Sequence, residues 1–295
     1  MKTEMTRYTL PREPLLCRSM LMTCGLHERR FKKAYEMGAD ISTLDLEDSV
    51  PPPRKEEARR LILPFFHQPA TGRSLRTIRI NCLRSPEGLR DLLAILDSGA
   101  RPDALFVPKV ESVQDILILQ EILGERLAST IFLVLIETAA GLCAVEEIAN
   151  ASPRVRALVF GGADYSAEIG TGMSWEPLSY ARSRIVVAAS RAGIPAMDSP
   201  FFDIEDEEGL RAEIQRTREL GFQGKVAVHT RQISAINEGY TPCRDAVERA
   251  RRVVSSIDQN NGQISVLDGS MIGPPMLLAA RRLLALADKI EAFAD

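Results

Sequence analysis

Glu137 ends the apolar run "IFLVLI" (131–136) and is followed at once by "TAAG", whose small side chains leave room beside it. Six hydrophobes in a row describe a strand buried on both faces, so the carboxylate at its tip needs a partner, water or a ligand. The same pattern recurs along the chain. Asp45, Glu47 and Asp48 close the second such run, Arg79 and Asn81 the third, Lys109 and Glu111 the fourth, Asp164 the sixth and His229 the eighth. Gathered at one end of a sheet, these groups have the makings of a divalent-cation site beside an anion site.

Glu137 and Asp164 end consecutive runs, and neighbouring strands lie about 5 Å apart, so the two carboxylates can share one hard cation. With no His or Cys near them in sequence, Mg²⁺ suits an oxygen-only pair better than zinc does. The competing role for either acid is to cap the next helix or to pair with Arg79. Arg79, in "TIRIN", offers a planar fork that grips a carboxylate through two hydrogen bonds, or pairs with Glu47 or Asp48. Lys109 is either a second anion contact or a partner for Asp45. The segment "GGADYSAEIGTG" (161–172) lacks both GxxxxGK[ST] and GxGxxG, so its glycines point to close approach of backbone and ligand, not to a phosphate loop. His67 reads as a surface residue, His229 as a structural histidine or a ligand contact. "DIEDEEGL" (203–210) reads as a solvated, acid-rich helix start.

The elements that must position these groups alternate regularly. Strand candidates are "SMLMTCG", "ISTLDLED", "LRTIRIN", "ALFVPKV", "IFLVLIET", "RALVFGGAD", "AMDSPFF" and "KVAVHT". Each is short, rich in Val, Ile, Leu or Phe, and bounded by Gly, Pro or small polar residues. Amphipathic stretches such as "SPEGLRDLLAILDSG" and "SVQDILILQEILGERL" lie between them, with Ser85-Pro86-Glu87 and Glu111-Ser112 as helix starts and Gly99 as a stop. Eight such units predict an α/β fold, a (β/α)₈ TIM barrel over residues 1–240, with an open doubly wound sheet as the rival. Residues 241–295 break the alternation: a helix closing on an Asn-Gly turn, a short extended segment "QISVLDGSMIGPPM", and a last helix. They form a C-terminal helical extension expected over the barrel mouth or on a neighbouring subunit.

Composition sets the class. The 295 residues are 45% hydrophobic and 26% charged, an ordinary globular balance. A net charge of −3 gives no bulk attraction to nucleic acid or anionic membrane. No apolar run reaches the roughly 18 residues of a membrane span, and the opening "MKTEMTRYTLPREPLL" has no continuous hydrophobic segment of the kind a secretory signal needs. Five scattered cysteines without a CxxC pair fit a reducing compartment, so a cytoplasmic location is expected.

With these residues in place, the chain resembles the citrate lyase β-subunit and malyl-CoA lyase family of the HpcH/HpaI aldolase/citrate lyase superfamily. The resemblance rests on "RSMLMTCG", "LDLEDSVPPPRKEEAR", "IRIN", "VPKVES", "LIETAAGL", "FGGADYSAEIG", "GFQGKVAVHTRQISAINEGYTP" and "DGSMIGPPMLLAARRLL", in that order along nearly the whole chain. It implies a Mg²⁺-dependent carbon–carbon lyase that divides a 3-hydroxyacyl-CoA of the malyl-, citramalyl- or citryl-CoA type into an acyl-CoA and a 2-keto acid. By the same resemblance, Glu137 and Asp164 are metal ligands, Arg79 binds the keto acid, Glu47 holds metal-bound water, and Arg18 lies near the CoA. A homotrimer or hexamer is implied, with an acyl carrier protein as the other possible thioester carrier.

Two departures accompany the likeness. Where relatives turn through Val-Pro-Gly after the first strand, this chain reads "MTCG". Where relatives often carry an aspartate after Met-Ile in the last block, it has Gly273, which has no proton to transfer. Gly273 is the reason to weigh a non-catalytic protein that binds keto acid and CoA; an aldolase acting on free hydroxy-keto acids is the other alternative.

Overall fold

A computed structural model describes residues 15–67, 72–260 and 263–294. The opening residues 1–14 and the Asn261-Gly262 turn lie outside the described residues. Eight strands form: β1 (Ser19–Cys24), β2 (Ile41–Asp45), β3 (Leu75–Arg79), β4 (Ala104–Val107), β5 (Ile131–Ile136), β6 (Val155–Phe160), β7 (Ala196–Asp198) and β8 (Gly224–Ala227); each matches an expected run, with β6 and β8 beginning one residue before theirs. They pair in parallel in sequence order and close into a barrel. The closing pair aligns Met20 of β1 with Val226 of β8, which rules out the open doubly wound sheet.

The connecting helices begin and end where local chemistry says they should. Ser85 accepts from the Gly88 N–H ahead of the helix Pro86–Ser98, and Gly99 closes that helix in the left-handed conformation at φ 74°. Ser112 and Asp115 form a reciprocal capping box at the start of Val113–Leu123. The acid-rich stretch opens the helix Glu207–Leu220, with Asp206 accepting from the Gly209 N–H.

A two-residue period sets which side chains fill the barrel. Met20, Ile41, Phe106, Leu133, Leu135, Val159, Met197 and Val226 form one apolar cluster contributed by seven strands, with Met22 and Leu75 packed against it. Extending that inward register to the strand tips reaches Cys24, Asp45, Arg79, Glu137, Gly161 and Ser199. The polar tips therefore stand on an apolar floor.

Contacts divide the chain into two compact units, residues 1–237 and 238–295. The second contains the helix Arg244–Gln259, an antiparallel hairpin of β9 (Ser265–Leu267) and β10 (Ser270–Ile272), and the helix Pro274–Ala294. Its own core joins Ala250, Val253, Ile257, Ile272 and Ala280. The expected extended segment is thus a hairpin, turned at Asp268 and Gly269, whose φ values of 50° and 76° both lie in the left-handed region.

Candidate active site

The C-terminal strand ends open into a cavity of about 890 Å³ whose lining includes Cys24, Asp45, Asp48, Arg79, Glu137 and Asp164. Glu137 follows β5 directly and is 2% exposed. Its Oε1 accepts the Lys109 N–H at 2.9 Å. Lys109 takes an unusual backbone conformation to do this, with φ 52°. From there its ammonium reaches Glu47 Oε1 at 2.8 Å. Lys109 therefore binds Glu47 and Glu137 together, and its partner is Glu47, not Asp45.

Asp45 instead takes Arg79, with Nε to Oδ1 and Nη2 to Oδ2 both at 2.7 Å. Arg79 Nη1 stands 2.9 Å from Glu47 Oε2 and 3.6 Å from Asp48. This Glu47 oxygen makes an ion pair but has no partner in hydrogen-bond geometry. Asp45 also accepts the N–H groups of Glu47 at 2.8 Å and Ser49 at 3.2 Å, which fixes the loop after β2. Burial would push the Asp45 carboxyl up, but the guanidinium outweighs it and holds Asp45 below the ordinary carboxylate range. For Glu47 burial wins over Arg79 and Lys109, and its carboxyl is pushed up.

Asp164 does not end a strand. Strand β6 stops at Phe160, and Asp164 lies in the first turn of the helix Gly162–Ile169. The two glycines after Phe160 break the extended pattern, and an acid in a helix's first turn is favoured by the helix dipole. The turn still brings Asp164 to the cavity and close enough to act electrostatically on Glu137. Burial, then the charges of Glu47 and Asp164, push the Glu137 carboxyl up to about 8. Gly161 is what allows this closeness: a Cβ there would sit 2.3 Å from Glu137 Cβ and 2.8 Å from its Oε2.

These carboxylates fit a hard cation. Three acids crowd together, a cation would favour the ionised form of the Glu137 carboxyl that its surroundings push up, and the acids donate only oxygen. Among the described residues no three His, Cys, Asp or Glu side chains form an all-protein metal cage. Two carboxylates completed by water and ligand oxygens are the arrangement Mg²⁺ prefers.

Arg18 is a correction. It precedes β1, and Asp40, which precedes β2, holds it through the Arg18 N–H at 2.7 Å, Nε at 2.9 Å and Nη2 at 2.7 Å. Both residues therefore sit at the N-terminal end of the barrel, opposite the cavity, because strand starts and strand ends of a parallel barrel lie on opposite faces. His229 lines the cavity, and His67 is exposed. Cys24, Arg30 and Lys33 also line the cavity and did not stand out in the sequence. For Cys24 the two-residue period of β1 was the available signal; the two cations had none beyond a basic first helix.

A parallel eight-stranded barrel with acids, a paired arginine and a lysine at its C-terminal mouth defines a class of barrel enzyme. Residues 18–230 match the model of the HpcH/HpaI aldolase/citrate lyase family. The chain is 33% identical to an L-malyl-CoA/beta-methylmalyl-CoA lyase of Cereibacter sphaeroides, over 96% of this chain and 97% of that protein. It is 35% identical to the citrate lyase subunit beta of Escherichia coli, over 92% and 93%. Among solved structures, RipC from Yersinia pestis is 40% identical with a TM-score of 0.69, covering 78% of this chain and 98% of RipC. CitE from Mycobacterium tuberculosis, solved with magnesium, acetoacetate and coenzyme A, is 29% identical with a TM-score of 0.77, covering 92% and 98%. The chain belongs to the HpcH/HpaI aldolase/citrate lyase family and is a carbon–carbon lyase. No helix among the described residues is long and apolar enough to cross a membrane.

Proposed function

We propose that the protein is a Mg²⁺-dependent lyase that divides a 3-hydroxyacyl-CoA of the malyl-, citramalyl- or citryl-CoA type into an acyl-CoA and a 2-keto acid. The observation that carries this reading is the crowding of Glu47 and Asp164 around buried Glu137, which leaves its carboxyl protonated near neutral pH until a cation compensates it. Glu137 and Asp164 would hold the metal. When bound, the cation supplies Lewis-acid polarisation of the substrate hydroxyl and keto oxygen.

The chain's own groups do the rest. Arg79, its plane fixed by Asp45, orients the substrate carboxylate. Lys109 keeps Glu47 and Glu137 in register and adds positive charge beside the reacting oxygens. Glu47, whose carboxyl is pushed up by burial, exchanges the proton of the substrate hydroxyl through water. The carbon–carbon bond then breaks to give the keto acid and a thioester enolate, which takes up a proton to become the acyl-CoA. Residues 241–295 form a C-terminal extension, and the protein assembles as a cytoplasmic homotrimer or hexamer. That assembly rests on the family resemblance alone and is tested by light scattering.

The likeness to a malyl-CoA lyase and to a CitE solved with coenzyme A favours CoA over a carrier-protein thiol. A coupled assay across malyl-, citramalyl- and citryl-CoA, each also offered on an acyl carrier protein, reads released keto acid with and without EDTA. Release that EDTA abolishes and magnesium restores supports the proposal. Keto-acid binding without release from any thioester would make the protein a binding paralogue instead.

A further inference from the structure

Lys55 breaks a local rule. It is the first residue of the helix Lys55–Ile62, where the helix dipole disfavours a cation, and it is 8% exposed although lysine is among the residues least often buried. Nothing in the helix itself repays that placement. The ammonium points back at the loop after β2, donating to Leu46 O at 2.7 Å, Glu47 O at 2.8 Å and Asn81 Oδ1 at 2.7 Å. Its three donors are all used.

Asn81 completes the clamp from the other side. Its Nδ2 donates to the same Leu46 oxygen at 3.0 Å and to Asp91 Oδ2 at 2.7 Å. Asp91, fully buried, is anchored by Arg59 Nε at 2.7 Å. Burial lowers the lysine's proton affinity and outweighs the opposing charges of Asp45, Glu47, Asp91 and Asp48. Lys55 itself does not line the cavity.

We infer that Lys55, through Asn81, is the positioning residue that fixes Glu47 for the reaction by clamping the two carbonyls of the loop that carries it. The inference rests on the proposed lyase reading. Glu47 is thereby held at its N–H by Asp45, at its C=O by Lys55 and the Val50 N–H, and at its two carboxylate oxygens by Lys109 and Arg79. Asp45 and Arg79 line the cavity, and a bound substrate competes for Arg79. Lys55 is buried with all three donors spent on protein acceptors, so it keeps the loop in place while Arg79 engages ligand.

The test is Lys55→Met, which keeps the stem and removes the charge, beside Asp198→Asn, which breaks a buried ion pair away from the site. Both variants are followed by thermal melting, by calorimetry of magnesium with pyruvate, and by kcat and KM on the best thioester. Lys55→Met should lower kcat about 100-fold with KM changed less than about threefold, the cost of a misplaced group that is not itself in contact with substrate. It should also weaken pyruvate binding, and a crystal structure of the variant should show Glu47 off Arg79 or Lys109. Asp198→Asn should lose as much stability with kcat retained. A folded Lys55→Met with near-wild-type kcat and pyruvate affinity overturns the inference, as does an equal loss of kcat in both variants. Should Lys55→Met not fold, Asn81→Ala carries the same expectations. Wild-type protein that releases no keto acid from any thioester would instead remove the lyase reading; the pyruvate titration and the crystal structure would still test the clamp.

Discussion

The Lys109 ammonium lies 2.8 Å from Glu47 Oε1, on a residue whose φ of 52° is one of two positive values among the described non-glycine residues. The left-handed backbone costs about 1–2 kcal/mol for an L-residue, and what it secures is a side chain aimed at Glu47 with an N–H aimed at Glu137. Lys109→Gly keeps the N–H and suits the backbone while deleting the ammonium. It should melt within about 2 °C of wild type, since glycine's relief at φ > 0 offsets the lost ion pair, and should lose about 100-fold or more in kcat/KM. Retention of more than half the activity would refute a role for the ammonium.

Glu137 makes the metal-free protein sensitive to alkali. Its folded pKa of about 8 is above the ordinary value of 4.5, so folding binds a proton between those values. The stability from that proton is full below about 4.5 and is lost as pH rises through about 8. In EDTA, the melting temperature should therefore fall from pH 6 to pH 9, and Glu137→Gln should flatten the fall. Added Mg²⁺ should reverse the trend, because the metal binds the ionised form. Identical pH profiles for the wild type and Glu137→Gln would count against the assignment.

Gly161→Ala places a methyl group 2.3 Å from Glu137 Cβ. Overpacking of this kind costs about 1–3 kcal/mol, and here it also pushes the carboxylate aside. Calorimetry should show weaker magnesium binding together with the lower stability in urea. A variant with wild-type metal affinity would mean that Glu137 is not a ligand.

Asp198 is fully buried between Lys225 Nζ at 2.6 Å and Arg182 Nε at 2.8 Å. Burial pushes its carboxyl up, but the two cations outweigh burial and hold it below the ordinary value. Asp198→Asn removes the buried counter-charge the two cations share, leaving Glu213 at 2.6 Å from Lys225 and 3.9 Å from Arg182, and should cost about 3 kcal/mol in urea unfolding, with kcat of the folded protein unchanged.

Gly273 precedes the helix Pro274–Ala294, and a Cβ there meets only Ile264 at 3.6 Å. Gly273→Asp is therefore sterically tolerated. As an N-cap, aspartate should raise stability by a few tenths of a kcal/mol over glycine, read as a small rise in melting temperature.

Patterns spanning a few residues were legible without coordinates. The eight strands follow from short β-branched runs, the caps from Ser85, Ser112 and Gly99, and the concentration of acids at strand tips from polar residues that end apolar runs. Each of these depends on backbone preferences and on a two- or 3.6-residue period, both properties of neighbouring residues. The partnerships among the tips were settled only by closing the barrel. Asp45 rather than Glu47 takes both fork nitrogens of Arg79, Lys109 turns to Glu47, Asp164 reaches Glu137 from a helix, and Arg18 falls at the far end. Lys55 likewise looks like a misplaced helix-start lysine until Asn81, 26 positions on, is brought beside it. These choices rest on ångström-scale distances between residues far apart in the chain, and on the balance of burial against neighbouring charge that makes one carboxyl give up its proton and another keep it. The order of residues carries neither quantity locally; the packed barrel sets both.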